Sequence, residues 1–147
     1  MYSEDYIIRL IQQLVAFIAH ITRLNRNGEH DKALAAVERT WGELFDVPRE
    51  MLDAVDTPSL VAMLREPAKI RLAAQLFVEE GRALAGKGDP LSAAVRFRRA
   101  LELFLEARAG DPAGEVAIAR DSDDATIQEL LRIVPRETLA PRYRAQA

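Results

Sequence analysis

The sequence predicts an all-α protein. Three observations point to this class: apolar residues recur every three or four positions, prolines and glycines fall between these periodic segments, and no segment alternates apolar and polar residues as a strand does. The chain has 147 residues, of which 49% are hydrophobic and 29% charged, a balance typical of one folded domain. We therefore expect a single helical domain over residues 1–134. Residues 135–147 contain two prolines and three arginines, and they are predicted to form a flexible tail.

The first half of the chain predicts two longer helices and two short ones. Residues 3–25 carry a broad apolar stripe that ends at Asn27 and Gly28, and residues 30–45 form the next periodic segment. Two short helices are expected at 48–55 and 57–65, each opened by a proline, with Thr57 as the N-cap of the second. These two short helices form an insert between longer ones.

The second half predicts two long helices followed by weaker segments. The long helices cover 67–86 and 90–109, and the break after them comes at Gly110 to Pro112. A short helix is expected at 113–120. The acidic run 121–124 suits the N-terminus of a further helix at 123–134, because negative charge is favourable at the positive end of the helix dipole.

The most specific pattern lies between residues 77 and 101, where small residues occur at places where two helices would touch. Glycine and alanine allow close approach of helix backbones, and the matching positions are Phe77, Gly81, Ala83, Gly88, Asp89, Ala93, Phe97 and Ala100. In its order and spacing this segment resembles the helical hairpin of the tetratricopeptide family. That resemblance implies a module that binds other proteins and performs no chemistry itself.

A second, weaker copy of the pattern surrounds Gly28, with Ala33, Thr40 and Phe17 at corresponding places and Ile21 where the helix glycine would be. The two copies lie about sixty residues apart rather than the ~34 of a regular array, because the insert separates them. The opening, residues 5–14, also resembles a family of small bacterial tetratricopeptide-like proteins without an assigned activity. The resemblance covers roughly residues 1–109 and implies a bacterial protein. The absence of cysteine fits a cytoplasmic location, which we expect.

In tetratricopeptide proteins the first helix of each hairpin lines a concave surface. By the alignment above, six residues form this predicted groove: Val15, Ile18, Thr22, Gln75, Val78 and Arg82. An apolar groove needs a cover. Three covers are possible from the sequence: the chain's own C-terminal helix, a second copy in a homodimer, or an amphipathic helix of a protein partner.

Residues that could carry chemistry are few. The chain has no cysteine, and its two histidines, His20 and His30, lie on different predicted helices, so we expect no metal ligand, cofactor site or catalytic residue. His20 is expected to be partly buried and His30 solvated. The carboxylate pairs at 79–80 and 123–124 are interpreted as solvated or capping groups, since neighbours on a helix do not share a pocket.

The charge pattern argues against nucleic acid and membrane as partners. The net charge is −3, and the arginines at 82, 96, 98 and 99 are interpreted as a solvated face balanced by glutamates. The uncharged stretch 10–22 is shorter than the ~20 residues of a membrane span. The function favoured by the sequence is thus a self-associating, non-catalytic interaction module. The alternative is a small helical ligand-binding protein or enzyme whose internal pocket is built from residues distant in sequence.

Overall fold

A computed structural model describes residues 4–110 and 117–147, and within these ranges every regular element is helical, which confirms the all-α class. The α-helices are α1 (Glu4–Arg26), α2 (His30–Thr40), α3 (Arg49–Ala54), α4 (Thr57–Leu64), α5 (Pro67–Gly86), α6 (Pro90–Gly110), α7 (Ala117–Ile133) and α8 (Pro141–Arg144). A π-helical turn, Trp41–Phe45, follows α2, and a 3-10 turn, Arg136–Thr138, precedes α8.

The two predicted hairpins are present as neighbouring helix pairs. The turns between α1 and α2 and between α5 and α6 contain Gly28 and Gly88, whose φ angles of +75° and +84° are accessible to glycine without strain. Helix α5 pairs with α6 along its length, and α1 and α2 pack on each other and on α5. Helix α5 therefore lies at the centre of the fold.

The core is continuous across these helices and is densest around α5. Trp41 of the π-helical turn lies between two rings, with centroid distances of 4.6 Å to Phe45 and 5.1 Å to Phe77. Gly81 faces the ring of Phe97, so closely that a Cβ atom added at Gly81 would lie 2.6 Å from Cε1 of that ring. A small residue is required at this point of contact between α5 and α6.

The insert is held to the hairpin by polar contacts. Arg96 on α6 pairs with Asp53 on α3 at 2.6 Å, and Arg99 donates to the carbonyl oxygen of Val55 at 2.7 Å. The N-cap of α4 is Asp56, whose side chain accepts from the backbone N–H of Ser59, and not Thr57 as predicted. Thr57 is instead buried, and it uses its hydroxyl elsewhere.

The C-terminal third departs most from the prediction. Residues 117–133 form one continuous helix, so the acidic run 121–124 lies inside α7 and does not cap a helix start. Residues 111–116, which include the first four residues of the short helix predicted at 113–120, lie outside the described residues. No proline or glycine interrupts residues 117–133, and an uninterrupted run of tolerable helix formers continues as one helix when a neighbouring helix can pack against it.

The segment predicted as a flexible tail packs against α6 instead. Leu139 and Tyr143 are 1% and 0% exposed, and the Tyr143 hydroxyl donates to Oε1 of Glu106 at 2.7 Å. The backbone N–H of Ala140 donates to Oε2 of Glu102 at 3.1 Å. Two well-spaced apolar side chains and two acceptors on α6 are enough to order a segment that is otherwise rich in proline and arginine.

Candidate functional site

The six predicted groove residues divide into an open half and a covered half. On α1, Val15 is 50% exposed, Ile18 is buried, and the Thr22 hydroxyl donates to the Ile18 carbonyl oxygen at 2.9 Å. On α5, Val78 is buried, and Gln75 and Arg82 are half-buried. Only the α1 half of the groove therefore offers an apolar side chain to solvent.

Helix α7 accounts for the covered half. Arg71 of α5 pairs with Oδ2 of Asp123 at 2.8 Å, and Gln75 donates to Oδ1 of the same carboxylate at 3.4 Å. Burial raises the pKa of Asp123, and Arg71 opposes this shift. Arg82 pairs with Glu129 at 3.3 Å. The polar groove residues of α5 are thus engaged with α7.

The outer face of α1 has no such cover. We define this face by four residues that recur at helical spacing, all of them exposed: Ile8, Gln12, Val15 and Ala19. Ile8 and Val15 are 47% and 50% exposed, and no charged residue occurs between Leu10 and Thr22. In the described part of the chain, α1 is also the one helix long and apolar enough to cross a membrane, by length and composition alone.

A polar network lies at the C-terminal end of α1, beside a cavity of about 300 Å³. The Asn25 amide donates to the carbonyl oxygen and to Oε1 of Glu79, both at 2.9 Å, which leaves Oδ1 of Asn25 facing Nδ1 of His30 at 2.9 Å. Because that oxygen only accepts, the network assigns the proton to Nδ1 of His30. Glu79 also pairs with Arg82 at 2.7 Å, so the network joins α2, α1, α5 and α7.

A second buried carboxylate, Glu80, lies at the floor of a cavity of about 490 Å³ whose apolar wall includes Leu84. Arg49 contacts Oε2 of Glu80, and Nε of Arg96 lies 3.1 Å from Oε1. Burial raises the pKa of Glu80, although both arginines lower it. The guanidinium of Arg96 also lies 5.9 Å from the centre of the Phe77 ring. The charges at this floor are therefore neutralised within the protein, while Oε1 of Glu80 and Nη1 of Arg49 have no hydrogen-bond partner.

A third buried carboxylate, Glu102, joins the insert to the C-terminal segment. It accepts from the Thr57 hydroxyl at 2.6 Å through Oε1 and from the Ala140 backbone through Oε2. The adjacent cavity of about 480 Å³ is lined by both segments. Arg99 stands beside it, and burial lowers the pKa of its guanidinium although Glu102 raises it. Glu102 therefore connects the insert and the C-terminal segment to α6.

These findings correct the interpretation of several charged residues. Glu79 and Glu80 are 4% and 3% exposed rather than solvated, and Arg96 and Arg99 are half-buried supports of the insert rather than a solvated face. The assignment of the histidines is also reversed, since His20 is exposed and His30 is half-buried. The sequence carried no signal for this burial, because Arg71, Gln75, Glu79 and Arg82 recur at helical spacing. Such a polar stripe predicts an exposed face.

The described residues bring together no group of three or more His, Asp or Glu side chains placed to hold a metal ion. The three buried carboxylates are each occupied by arginine, amide, hydroxyl or backbone donors of other elements. These contacts fix the helices relative to one another. A buried charge is tolerated only when it has partners, and here the partners lie on different elements. The outer face of α1 takes no part in these internal contacts and remains exposed.

Comparisons with protein-family models, with curated proteins and with solved structures find nothing that matches this chain.

Proposed function

We propose that the chain is a non-catalytic, tetratricopeptide-like interaction module that self-associates. Support for the repeat-like character comes from the order of helix contacts: α1 and α2 both pack on α5, α5 pairs with α6, and α6 packs on α7. Stacked helical hairpins make this sequence of contacts, in which each unit touches only its neighbours. The small residues at Gly81 and Gly88 fit the same scheme.

The observation that carries the interaction role is the outer face of α1. Apolar side chains scattered singly on a surface need no explanation, but here Ile8 and Val15 lie two turns apart on one face of α1, and the helix carries no charged residue from Leu10 to Thr22. Leu91 and Val95 on α6 are also exposed, at 83% and 49%, but they lie only one turn apart. The longer, largely apolar strip on α1 is typical of a surface that meets another protein.

Light scattering coupled to size-exclusion chromatography tests self-association. The wild-type mass should rise with loading concentration from about 10 μM to about 1 mM, the range expected for a small interface. The test variant is Val15→Glu on the face, which should lower the self-association. The matched control is Leu91→Glu on α6, which should not, because Leu91 is 83% exposed but lies outside the face. A monomeric wild-type mass throughout this range would contradict the proposed self-association.

Binding of a different protein is tested by affinity capture with the same variants. A partner retained by wild type and by the Leu91→Glu variant, and lost with Val15→Glu, would support the module and locate its surface. A partner retained equally by all three would bind elsewhere. We also propose a cytoplasmic location, and flotation with liposomes tests it: co-flotation of wild-type protein would assign α1 to the membrane instead.

The cavity above Glu80 is the observation that bears on the alternative, a ligand-binding protein or enzyme. It has apolar walls and a charged floor, as ligand sites often do. Oε1 of Glu80 and Nη1 of Arg49 have no hydrogen-bond partner there, but the two glutamates and two arginines that line the cavity cancel in charge, so it offers a ligand no net charge. We therefore favour the interaction module.

A further inference from the structure

The outer face of α1 has a charge pattern that selects one occupant. Asp5 lies near its N-terminal end, Arg23 and Arg26 lie near its C-terminal end, and all three are exposed. None of the three has an ion-pair partner among the side chains that the structure describes. Arg9, the third arginine of the helix, is also exposed, but it lies six residues from Val15 and so about 120° around the helix from it. Towards Val15 the helix therefore carries one acid near its N-terminal end, no charge in the middle and two arginines near its C-terminal end.

We propose that the α1 faces of two copies pair antiparallel across a twofold axis at Val15. This inference rests on the self-association proposed above and specifies its geometry. With ~1.5 Å of rise per residue, Asp5 lies about 15 Å from Val15, and Arg23 and Arg26 lie about 12 and 16 Å from it in the other direction. Antiparallel pairing therefore brings the acid of each copy beside the arginines of the other.

The residues on either side of Val15 are also placed symmetrically about this twofold axis. Ile8 and Thr22 are each seven residues from Val15, so the antiparallel pair places Ile8 of one copy opposite Thr22 of the other. Ala19, on the same face, has a small side chain that lets the helices approach closely. A parallel pair would instead place Asp5 against Asp5 and arginines against arginines, which costs energy through like-charge repulsion.

The size of the face sets the expected strength. A face about 33 Å long and about 10 Å wide amounts to roughly 300 Å² per copy, or about 600 Å² in total. Stable interfaces start near ~1,200 Å², so α1 alone should give a weak dimer in the micromolar range or above. The self-association must therefore be measured at high concentration and should weaken at high salt.

The chain has no cysteine, so introduced cysteines report the pairing without background. The Val15→Cys variant should form a disulfide-linked dimer on mild oxidation, because its two copies meet at the axis. The Ile8→Cys and Thr22→Cys variants should each remain uncrosslinked alone, and a mixture of the two should crosslink. Self-crosslinking of both Ile8→Cys and Thr22→Cys, without preference for the mixture, would indicate a parallel pair and overturn the proposal.

Charge reversal gives a second, independent readout by sedimentation equilibrium. The Arg26→Glu and Asp5→Arg variants should each weaken dimerisation at least about threefold, and the double variant should regain most of the loss. Circular dichroism melts show that each variant is folded before it is compared.

The outcomes separate this inference from the function on which it rests. If wild-type protein is a dimer but neither the cysteine pattern nor the charge reversals affect it as stated, self-association stands and the α1 pairing is wrong. If wild-type protein is a monomer at every concentration, the proposed self-association is wrong, and the α1 pairing that rests on it is wrong as well. Loss of liposome binding in the Val15→Glu variant, with wild-type protein bound, would show that the face meets lipid and not a second copy.

Discussion

Replacing Gly81 by alanine tests the close contact between α5 and α6 at the Phe97 ring. The added Cβ would lie 2.6, 2.8 and 3.0 Å from Cε1, Cδ1 and Cζ of the Phe97 ring, where an ordinary contact needs at least about 3.4 Å. Phe97 is 8% exposed, so the ring has little room to withdraw. Overpacking of this kind costs roughly 1–3 kcal/mol, whereas alanine gains up to about 1 kcal/mol over glycine through helix propensity.

The net effect of Gly81→Ala should therefore be a loss of up to about 2 kcal/mol in the free energy of unfolding. Gly42→Ala is the matched control, because no atom lies within 4 Å of a Cβ built at Gly42. That control should be neutral or slightly stabilising. Urea denaturation followed by circular dichroism measures both, and the two variants should differ by about 1–3 kcal/mol.

The double variant Gly81→Ala with Phe97→Leu identifies the cause. Removal of the ring makes room for the added methyl group, so the penalty of Gly81→Ala should largely disappear when it is measured against Phe97→Leu alone. A coupling energy of about 1 kcal/mol or more is expected for residues in contact. Equal stability changes for Gly81→Ala and Gly42→Ala, or zero coupling with Phe97, would refute the reasoning.

Three further predictions concern stability. Burial and the hydrogen bond to Glu106 raise the pKa of Tyr143 above its ordinary 10.0, so the folded state keeps a proton that the unfolded state loses. The free energy of unfolding should therefore fall as the pH rises above about 10. In denaturation series at alkaline pH the Tyr143→Phe variant should show a shallower fall, and a fall identical to that of wild type would contradict this prediction. Replacing Ala93, which is 2% exposed, by leucine should cost on the order of 1–3 kcal/mol, and an unchanged thermal melt would speak against a packed hairpin. Arg99→Ala should cost about 1–3 kcal/mol because the carbonyl oxygens of Leu52 and Val55 lose their donor, whereas Arg98→Ala at the exposed neighbouring position should leave the melt unchanged.

The long central helices could be predicted closely from the sequence. Helix α5 spans Pro67–Gly86 as expected, and α6 spans Pro90–Gly110, one residue beyond the predicted end. Both begin at a proline and are separated by a glycine with positive φ. These signals are local: a proline restricts its own φ, and a glycine at a helix end adopts a conformation that other residues avoid.

The errors occur where a local signal competes with packing. Residues 121–124 look like a cap, but α7 continues through them, and Asp123 finds Arg71 on another helix. The last thirteen residues look like a tail because their composition is polar, yet Tyr143 is fully buried against α6. Composition describes an average, whereas burial depends on whether one side chain has a complementary site on a distant element.

The candidate site was predicted in part. The sequence placed Val15 and Arg82 on one surface, but it could not show that α7 would engage the α5 half and leave the α1 half open. It also assigned Glu79 and Glu80 to solvent, since adjacent carboxylates on a helix are usually exposed. Their burial follows from the central position of α5, which is a property of the assembled fold.

By itself, therefore, the sequence determined the helical class, the main turns and the small residues that let α5 meet α6. These depend on backbone preferences and on periodicity, which act over a few residues. Only the tertiary structure decided which charges are buried, which partners they find and which apolar strip remains uncovered. The physical reason is that the cost of burying a carboxylate and the gain from covering an apolar face depend on groups far apart in the chain, and their positions are defined only when the helices pack.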